Sequence, residues 1–348
     1  MPRHAPTPVL PVPPQVRRAA ALAALAALTL ASCSDPAQET APIAASWEEA
    51  FDASGGWLLN VGGPTADQLY AVGGHPRGGD VQEFDGQTWA PGGPPFGTPL
   101  LNWVHGCAAD DVVVVGTRGA ILRFDGASWT RDESPTDKDL WGVWGASCDD
   151  LWAVGGNGRE EGQATILRYD GTVWTEVETP PLERPQVWAW FKVWGSGPDD
   201  VFIVGQRGAV LHWNGSELTE EFAGASDDLI AVWGTGPDHV VAVGGRGIGI
   251  VSVWDGSEWT TTDLAPTPGL NGVWLDGPVA HVAGVLGTVG TFDTRTGELT
   301  LADVDTQLDF HAIHAAPGGP LIAVGGNFRS ADGPYEGIAL QAQRTSEP

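Results

Sequence analysis

Short runs of Val, Ile, Leu and Trp alternate with clusters of Gly, Pro and Asp along most of the chain. The pattern is clearest at 229–260, where runs at 229–234, 240–244 and 248–254 are followed by one that opens at Trp259. Runs of this length between turn-forming residues predict four β-strands, named a, b, c and d here in chain order. Asp255-Gly256 predicts a two-residue hairpin turn between c and d, because both residues tolerate positive φ. One such unit has no core of its own, so it must stack against copies of itself.

The copies are visible in the glycine that ends strand b. It recurs seven times at intervals of 39 to 50 residues, at Gly73, Gly116, Gly155, Gly205, Gly244, Gly284 and Gly325. A period of about 40 residues with four strands per unit is typical of β-propellers, whose blades surround a central channel. The sequence therefore predicts an all-β, seven-bladed β-propeller with four antiparallel strands per blade over residues 46–344, and a C-terminal tail at 345–348.

The two ends of the repeat array complement each other. In the seventh repeat, strands a, b and c are predicted near 312–315, 321–324 and 338–343, and no strand d follows. Ser46-Trp47-Glu48-Glu49, ahead of the first repeat, matches strand d segments such as Glu258-Trp259-Thr260-Thr261. An open ring would leave backbone groups unpaired and blade faces exposed. We therefore expect an N-terminal strand to complete the last blade and close the ring.

Residues 1–32 have the pattern of an export signal. Arg3, Arg17 and Arg18 precede the Ala/Leu run 19–30, which is too short to span a bilayer. Leu30-Ala31-Ser32-Cys33 resembles the lipobox of bacterial lipoproteins, which implies a lipidated Cys33 as first residue of the mature chain; the alternative is an ordinary secretion signal with an unrelated cysteine. Residues 33–45 are expected to form a flexible tether. Ser34 after the cysteine favours the outer membrane, on its periplasmic or surface side.

Charge excludes one class of partner. The leader carries three of the 17 basic residues and none of the 44 acidic ones, so 14 basic and 44 acidic residues remain and the net charge becomes −30. Such a surface repels nucleic acid phosphates and anionic lipid heads. We expect that the protein has no nucleic acid partner and contacts the membrane through the lipid anchor only. We also expect a monomer without a cofactor.

Two further cysteines occupy the same turn of neighbouring blades. Cys107 lies in the a–b turn of blade 2 and Cys148 in that of blade 3. Facing thiols outside the cytoplasm tend to oxidise, which predicts a Cys107–Cys148 disulfide linking the two blades. The alternative is two unrelated small residues.

Tryptophan follows the repeat as well. Eight of the 17 tryptophans fall at one position of strand a or one of strand d: Trp144, Trp194, Trp233 and Trp274, and Trp89, Trp129, Trp174 and Trp259. An aromatic stripe could stack on sugars, but we expect core packing between blades, because a buried indole covers about 150–250 Å².

Several blades resemble known propeller repeats. Ala71-Val72-Gly73-Gly74 followed by Phe84-Asp85-Gly86 and Trp89 has the kelch order of double glycine, aromatic residue and Trp. The Asp-Gly-x-x-Trp element is similar to the Asp-box of sialidase-like propellers, without its leading Ser/Thr. The segment 193–201 resembles repeats of uncharacterised secreted bacterial propellers. These resemblances imply the fold and leave the function open.

Loop lengths and arginines favour one face as the binding face. The b–c and d–a loops share a face and include the long segments 75–80, 157–164 and 327–336, whereas the a–b turns are short and uniform. One b–c arginine occurs in six of seven blades, and Trp188 and Trp190 lie in the long d–a loop before blade 4. The candidate rim is Arg77, Arg118, Arg159, Arg207, Arg246, Arg329, Trp188 and Trp190. Guanidinium groups suit an anionic partner, either an acidic glycan or an envelope protein. The alternative is that each arginine pairs with a nearby aspartate.

Catalytic and metal-binding patterns are weak. Tyr335 with Glu160, Glu161 or Glu336 is the best set for a sialidase-like site, and the eight histidines lack metal-binding spacing. We therefore predict a lipid-anchored, non-catalytic binding module with no catalytic residues and no metal. The alternatives are a scaffold for an outer-membrane complex and, less favoured, a glycan-active hydrolase or lyase.

Overall fold

Twenty-eight β-strands form seven four-stranded antiparallel sheets in the computed structural model, which describes residues 46–328 and 332–343. Cys33, the predicted lipidation site, and Arg329 lie outside these ranges. Within them, no helix has the length and apolar character needed to cross a bilayer. The predicted seven-bladed β-propeller is confirmed.

Each blade runs outward from strand a to strand d. The a strands are β2 (Trp57–Thr65), β6 (Leu101–Ala108), β10 (Leu140–Ser147), β14 (Trp190–Gly197), β18 (Leu229–Gly236), β22 (Leu270–Asp276) and β26 (Asp309–His314). The b strands are β3 (Gln68–His75), β7 (Asp111–Gly116), β11 (Asp150–Gly155), β15 (Asp200–Gly205), β19 (His239–Gly244), β23 (Val279–Gly284) and β27 (Leu321–Gly326).

The outer half of each blade consists of strands c and d. The c strands are β4 (Gly78–Phe84), β8 (Ile121–Phe124), β12 (Thr165–Tyr169), β16 (Ala209–Trp213), β20 (Ile248–Trp254), β24 (Val289–Asp293) and β28 (Gly337–Ala342). The d strands are β5 (Trp89–Pro91), β9 (Trp129–Arg131), β13 (Trp174–Glu176), β17 (Leu218–Phe222), β21 (Trp259–Pro268), β25 (Leu299–Leu301) and β1 (Glu48–Glu49). A single 3₁₀ turn, Gln206–Gly208, joins β15 to β16.

The N-terminal strand completes the last blade, as predicted. β1 pairs antiparallel with β28, with Glu48 opposite Gln341 and Glu49 opposite Leu340. The Trp47 side chain packs against the apolar cluster of blades 6 and 7. β2 of blade 1 in turn contacts β26 of blade 7, so the ring is closed. Strand a of this blade begins at Asp309, three residues before the predicted position.

Apolar side chains fill the space between neighbouring blades, and the tryptophans belong to this packing. Trp194 and Trp274 on strand a are 6% and 8% exposed, and Trp174 on strand d is 3% exposed. A Cβ at Gly234 would lie 2.4 Å from Trp194 Cη2. The indole of blade 4 therefore fits only because blade 5 has a glycine at the facing position. The expectation that the stripe is core rather than a sugar platform agrees with this burial.

All seven a strands carry a β-bulge near their first residues, where they pair with strand b. The register shifts by one residue between Leu140 and Gly142 in blade 3, and at the equivalent position in every other blade. A bulge leaves one extra residue and re-aims its side chain. The bulged residues are Leu59, Asn102, Trp141, Phe191, Ile230, Asn271 and His311. All except Asn102 line the same cavity at the end of the central channel.

Candidate functional site

The b–c and d–a loops form one face of the ring, named the upper face here, and the a–b and c–d turns form the lower face. The upper face opens into a cavity of about 930 Å³, the upper cavity, between the bulged residues of strand a and the b–c loops. A second cavity of about 440 Å³, the lower cavity, opens on the other face. One aliphatic residue per blade lines the lower cavity at mid-strand and narrows the channel: Val61, Val104, Val143, Val193, Val232, Val273 and Ile313.

A buried lysine lies in the wall of the upper cavity. Lys192 on β14 follows a bulged residue, and its side chain is carried across Gly142 of the neighbouring blade. It is only 2% exposed, and its Nζ donates a hydrogen bond to the Trp141 carbonyl at 2.8 Å. The ammonium also lies 4.3 Å from the Trp103 ring centroid.

Lys192 has no carboxylate within 4 Å among the residues that the structure describes. Burial lowers its pKa from 10.5 to about 7, because the charged form loses its hydration. The side chain is thus a proton-binding group poised near neutral pH. An anion in the cavity would supply the counter-charge that the protein does not.

His311 lines the same cavity on the opposite side of the ring. Burial, together with the positive charges of Lys192 and Arg246, lowers its pKa to about 3. Its Nδ1 lies 2.7 Å from the Leu59 carbonyl oxygen. The imidazole is therefore neutral at pH 7 and donates from Nδ1, which leaves Nε2 as an acceptor.

Aromatic side chains form the rest of the wall and are held by hydrogen bonds. Trp57 Nε1 donates to Asn327 Oδ1, and Trp141 Nε1 donates to the Gly156 carbonyl, both at 2.8 Å. Phe191 and Phe328 complete the apolar lining. These rings are fixed before any ligand enters, which reduces the entropy cost of binding.

Three of the b–c turns share the same backbone conformation and the same backbone-to-aspartate hydrogen bond. Arg118, Arg207 and Leu286 occupy the same turn position in blades 2, 4 and 6, each at a φ between 56° and 60°. In each turn the backbone N–H donates to an aspartate just before or at the start of the next strand a: Asp139, Asp228 and Asp309 respectively. Because a leucine serves equally well in blade 6, this turn does not require a guanidinium group.

Arg246 differs, because its side chain is paired. Its Nε lies 2.8 Å from Asp228 Oδ2, and its backbone N–H donates to Asp227. The guanidinium also stacks over Phe191 at 5.4 Å. The predicted alternative, arginine paired with a nearby aspartate, thus holds for this side chain. In the turns of Arg118 and Arg207 the aspartate instead accepts from the backbone.

The structure brings together only part of the predicted rim. Arg159 and Arg246 line the upper cavity; Arg77, Arg118 and Arg207 are exposed on the same face but do not line it. Trp188 is half-buried, and its backbone N–H donates a hydrogen bond to Gln206 Oε1.

The placement of Trp190 on the rim was wrong. It begins β14 at the position that leucine occupies in blades 2, 3, 5 and 6, and is 0% exposed. The long loop before it made the residue look like part of the loop.

The residues weighed for catalysis do not converge. Tyr335 stacks on His75 with ring centroids 5.3 Å apart and meets Trp57 edge-on. Glu160 lines the upper cavity, while Glu161 is exposed and does not. The Glu336 backbone N–H is bound by Asn327.

The predicted disulfide is not present, since Cys107 and Cys148 are both free thiols. A disulfide requires sulfur atoms about 2.05 Å apart. The expected neighbourhood of the two cysteines is nevertheless observed: both sulfur atoms and a carboxylate oxygen of Asp111 lie within 4.8 Å of one another.

Sequence reasoning missed Lys192, His311 and Trp141. Each lies on or next to a bulge, which aims the side chain at the channel where a regular strand would aim it between blades. The available signal was divergence: this stretch of strand a varies between blades, while the Val or Ile that follows is almost constant.

Comparison with known proteins identifies the fold. The chain is similar in structure to the WD40 β-propeller domain of Doa1, with a TM-score of 0.66 and 10% sequence identity over 86% of this chain and 97% of that one. It is also similar to YCF48 bound to D1 peptide (TM-score 0.61, 17% identity, 86% and 97% covered) and to a streptogramin B lyase (0.66, 12%, 86% and 98%). No protein-family model matches the chain, and no curated protein is significantly similar in sequence.

Proposed function

We propose that this propeller is a non-catalytic binding module that captures a carboxylate-bearing segment of a partner protein in its upper cavity. The observation that carries the proposal is Lys192, a buried lysine in the cavity wall whose amine has no carboxylate within 4 Å in the part of the chain that the structure describes. A buried unpaired charge is costly to fold, so its presence favours a ligand that pairs with it.

Three of the four acidic residues that line the cavity are already engaged, and the fourth, Glu160, is exposed. Asp139, Asp228 and Asp309 each accept a hydrogen bond from a b–c turn, and Asp228 also pairs with Arg246. Their charge is therefore partly neutralised, whereas Lys192 and the exposed Arg159 remain available to an anion. The exposed side chains of Arg118 and Arg207 add positive charge on the same face.

The shape of the cavity suits an extended segment with apolar side chains next to its carboxylate. Its volume of about 930 Å³ lies in the range of sites that bind small ligands, and its walls include Trp57, Trp141, Phe191 and Phe328. A peptide is preferred to a glycan because one structurally similar propeller, YCF48, has been solved bound to a peptide.

A direct test compares two fluorescent polyanions, a short oligoglutamate peptide and an oligogalacturonate of similar charge, by anisotropy. We expect saturable binding of the peptide, and at least tenfold weaker binding, or about 1.4 kcal/mol, for Lys192→Met. Lys138→Met removes the only other lysine, which does not line the cavity, and should bind like the wild type.

Three outcomes would contradict the proposal. Equal affinity of Lys192→Met and wild type would place the contact elsewhere. Preference for the oligogalacturonate would replace the peptide by an acidic glycan. Turnover of chromogenic glycosides would favour the hydrolase alternative.

We also propose that the module is held at the cell envelope by a lipid on Cys33. The lipobox-like Leu30-Ala31-Ser32-Cys33 supports this, and several acyl chains on one residue would anchor stably. Radiolabelled fatty acid should be incorporated by the wild type and not by Cys33→Ala. Labelling of the variant would remove the proposal.

A further inference from the structure

Two cysteines and an aspartate meet on the lower face, away from the upper cavity. Cys107 lies near the end of β6 in blade 2, not in the a–b turn as predicted, Cys148 lies in the a–b turn of blade 3, and Asp111 begins β7. The two sulfur atoms and one carboxylate oxygen lie within 4.8 Å of one another, and all three residues are half-buried.

We propose that Cys107, Cys148 and Asp111 bind a divalent metal ion of the zinc class. Zinc takes thiolate at about 2.3 Å and carboxylate oxygen at about 2.0–2.2 Å in a tetrahedron, which sets its ligand atoms about 3.5–3.8 Å apart. The observed cluster needs only small side-chain rotations to reach that spacing. Three protein ligands leave the fourth position for water.

Comparison between blades shows that the carboxylate of blade 2 is unusual. In blade 3 the equivalent Asp150 uses both oxygens, at 3.0 and 3.3 Å from the Arg168 guanidinium. In blade 4 the equivalent Asp200 uses one oxygen for His212 and the other for Ser196. Asp111 gives only Oδ2 to Arg123, at 3.0 Å; its Oδ1 is buried without a nitrogen or oxygen partner, and the Cys148 thiol is the hydrogen-bonding neighbour of this carboxylate.

A metal ion would satisfy that oxygen, and a disulfide would not. A disulfide joins the two sulfur atoms and leaves Asp111 Oδ1 unpaired, which is costly for a buried polar atom. A metal ion engages all three groups at once. The ligand set is therefore better explained by a cation than by oxidation.

A neighbouring arginine offsets part of the charge of the site. Two thiolates and one carboxylate carry three negative charges, and a divalent ion leaves one of them. Arg123 contacts Asp111 Oδ2 through its Nη1, lies 4.7 Å from the Tyr169 ring centroid, and is shared with Asp132, whose Oδ2 lies 3.6 Å from its Nε. Partners of this kind orient a ligating carboxylate and are typical of metal sites.

The test uses the full chain, reduced under anaerobic conditions and titrated with Co²⁺ alone and then with Zn²⁺. We expect one Co²⁺ per chain with thiolate-to-cobalt charge-transfer absorption, and its displacement by Zn²⁺. Cys107→Ser and Cys148→Ser should lose the absorption, and Asp111→Asn should bind at least tenfold more weakly. Zn²⁺ should raise the Tm of the wild type and not that of Cys107→Ser or Cys148→Ser.

Matched controls keep the result specific. Asp110→Asn removes the neighbouring exposed carboxylate of the same turn, and Cys33→Ser removes the third thiol; both should bind like the wild type. Two results would overturn the proposal: no charge-transfer absorption in the reduced wild type, or absorption that survives in the Cys107→Ser/Cys148→Ser double variant. Circular dichroism of each variant separates loss of the site from loss of the fold.

Discussion

Single carboxylates hold the c–d turns together. Asp255 Oδ1 accepts the backbone N–H groups of Ser257 and Glu258, and Asp85, Asp125 and Asp170 do the same in their blades. These bonds lower the pKa of each aspartate below its ordinary value of 3.8; for Asp255 the Ser257 hydroxyl adds the largest effect. The Asp-Gly pair was expected to form the turn centre. The aspartate instead stands one place earlier and caps it.

Replacing Asp255 by alanine should therefore lower the Tm at pH 7, because two backbone donors lose their acceptor. The folded-state pKa is depressed, so the stabilisation is present above 3.8 and is lost as the pH falls through the lower folded value. Thermal melts at pH 7 and pH 2.5 test this. The difference between wild type and variant should shrink at the lower pH, and a constant difference would contradict the capping role.

Lys192 makes stability rise with pH as Asp255 does, but in a higher pH range. Its pKa is about 7 in the folded protein and 10.5 ordinarily, so the unfolded chain binds more protons between these values. Stability due to this residue should rise by up to a few kcal/mol as the pH increases from 7 to 10. Urea unfolding of wild type and Lys192→Met at both pH values isolates the effect. An identical pH dependence of the two proteins would show that the amine is hydrated.

The arginines of the b–c turns should be dispensable for folding. Leu286 fills their turn position in blade 6, so Arg118→Glu/Arg207→Glu should keep the wild-type Tm and bind oligoglutamate more weakly. Asp139→Ala removes the acceptor of the Arg118 backbone N–H and should cost about 1–2 kcal/mol of unfolding free energy. Arg131→Glu on an exposed d strand is the charge control. Unfolding of the double arginine variant would make the guanidinium groups structural.

At the scale of elements, β1 is the shortest strand and closes the ring. It supplies the outer edge of blade 7 and places Trp47 against the core of blades 6 and 7. Deleting residues 46–52 should lower the Tm by many degrees, because an outer edge becomes unpaired and an apolar surface is exposed. Deleting residues 34–40 of the tether is the control. An unchanged melt after the first deletion would refute the role of β1 in closure.

Elements were predictable where the pattern repeats, and unpredictable where one residue changes the register. Glycines at the end of strand b and tryptophans of strand d recur in phase, so blade number, strand order and ring closure followed from spacing. The bulge adds to strand a one residue that is apolar in some blades and polar in others, so it leaves no consistent mark in the hydrophobic pattern. For this reason Lys192 and His311 were missed, whereas Trp190 was assigned to the rim because a long loop precedes it.

At the scale of the whole molecule, charge is divided between the two faces. The a–b turns expose Asp110, Asp149, Asp199 and Asp238 and carry no lysine or arginine, whereas the b–c loops expose five of the arginines that the structure describes. The sequence predicted this asymmetry; that the arginine-bearing face is the binding face stays a prediction. It could not predict the cavity, whose lining residues come from all seven blades and converge only in the closed ring.

The most direct test of the account is the number of protons taken up when oligoglutamate binds. Pairing a carboxylate with Lys192 should raise the pKa of the amine well above 7. Calorimetric titration at pH 7.5, in two buffers of different ionisation enthalpy, should therefore show net proton uptake by the wild type and by Lys138→Met, and none by Lys192→Met. Binding of equal affinity and without proton uptake in all three proteins would contradict the claim that the buried ammonium receives the ligand.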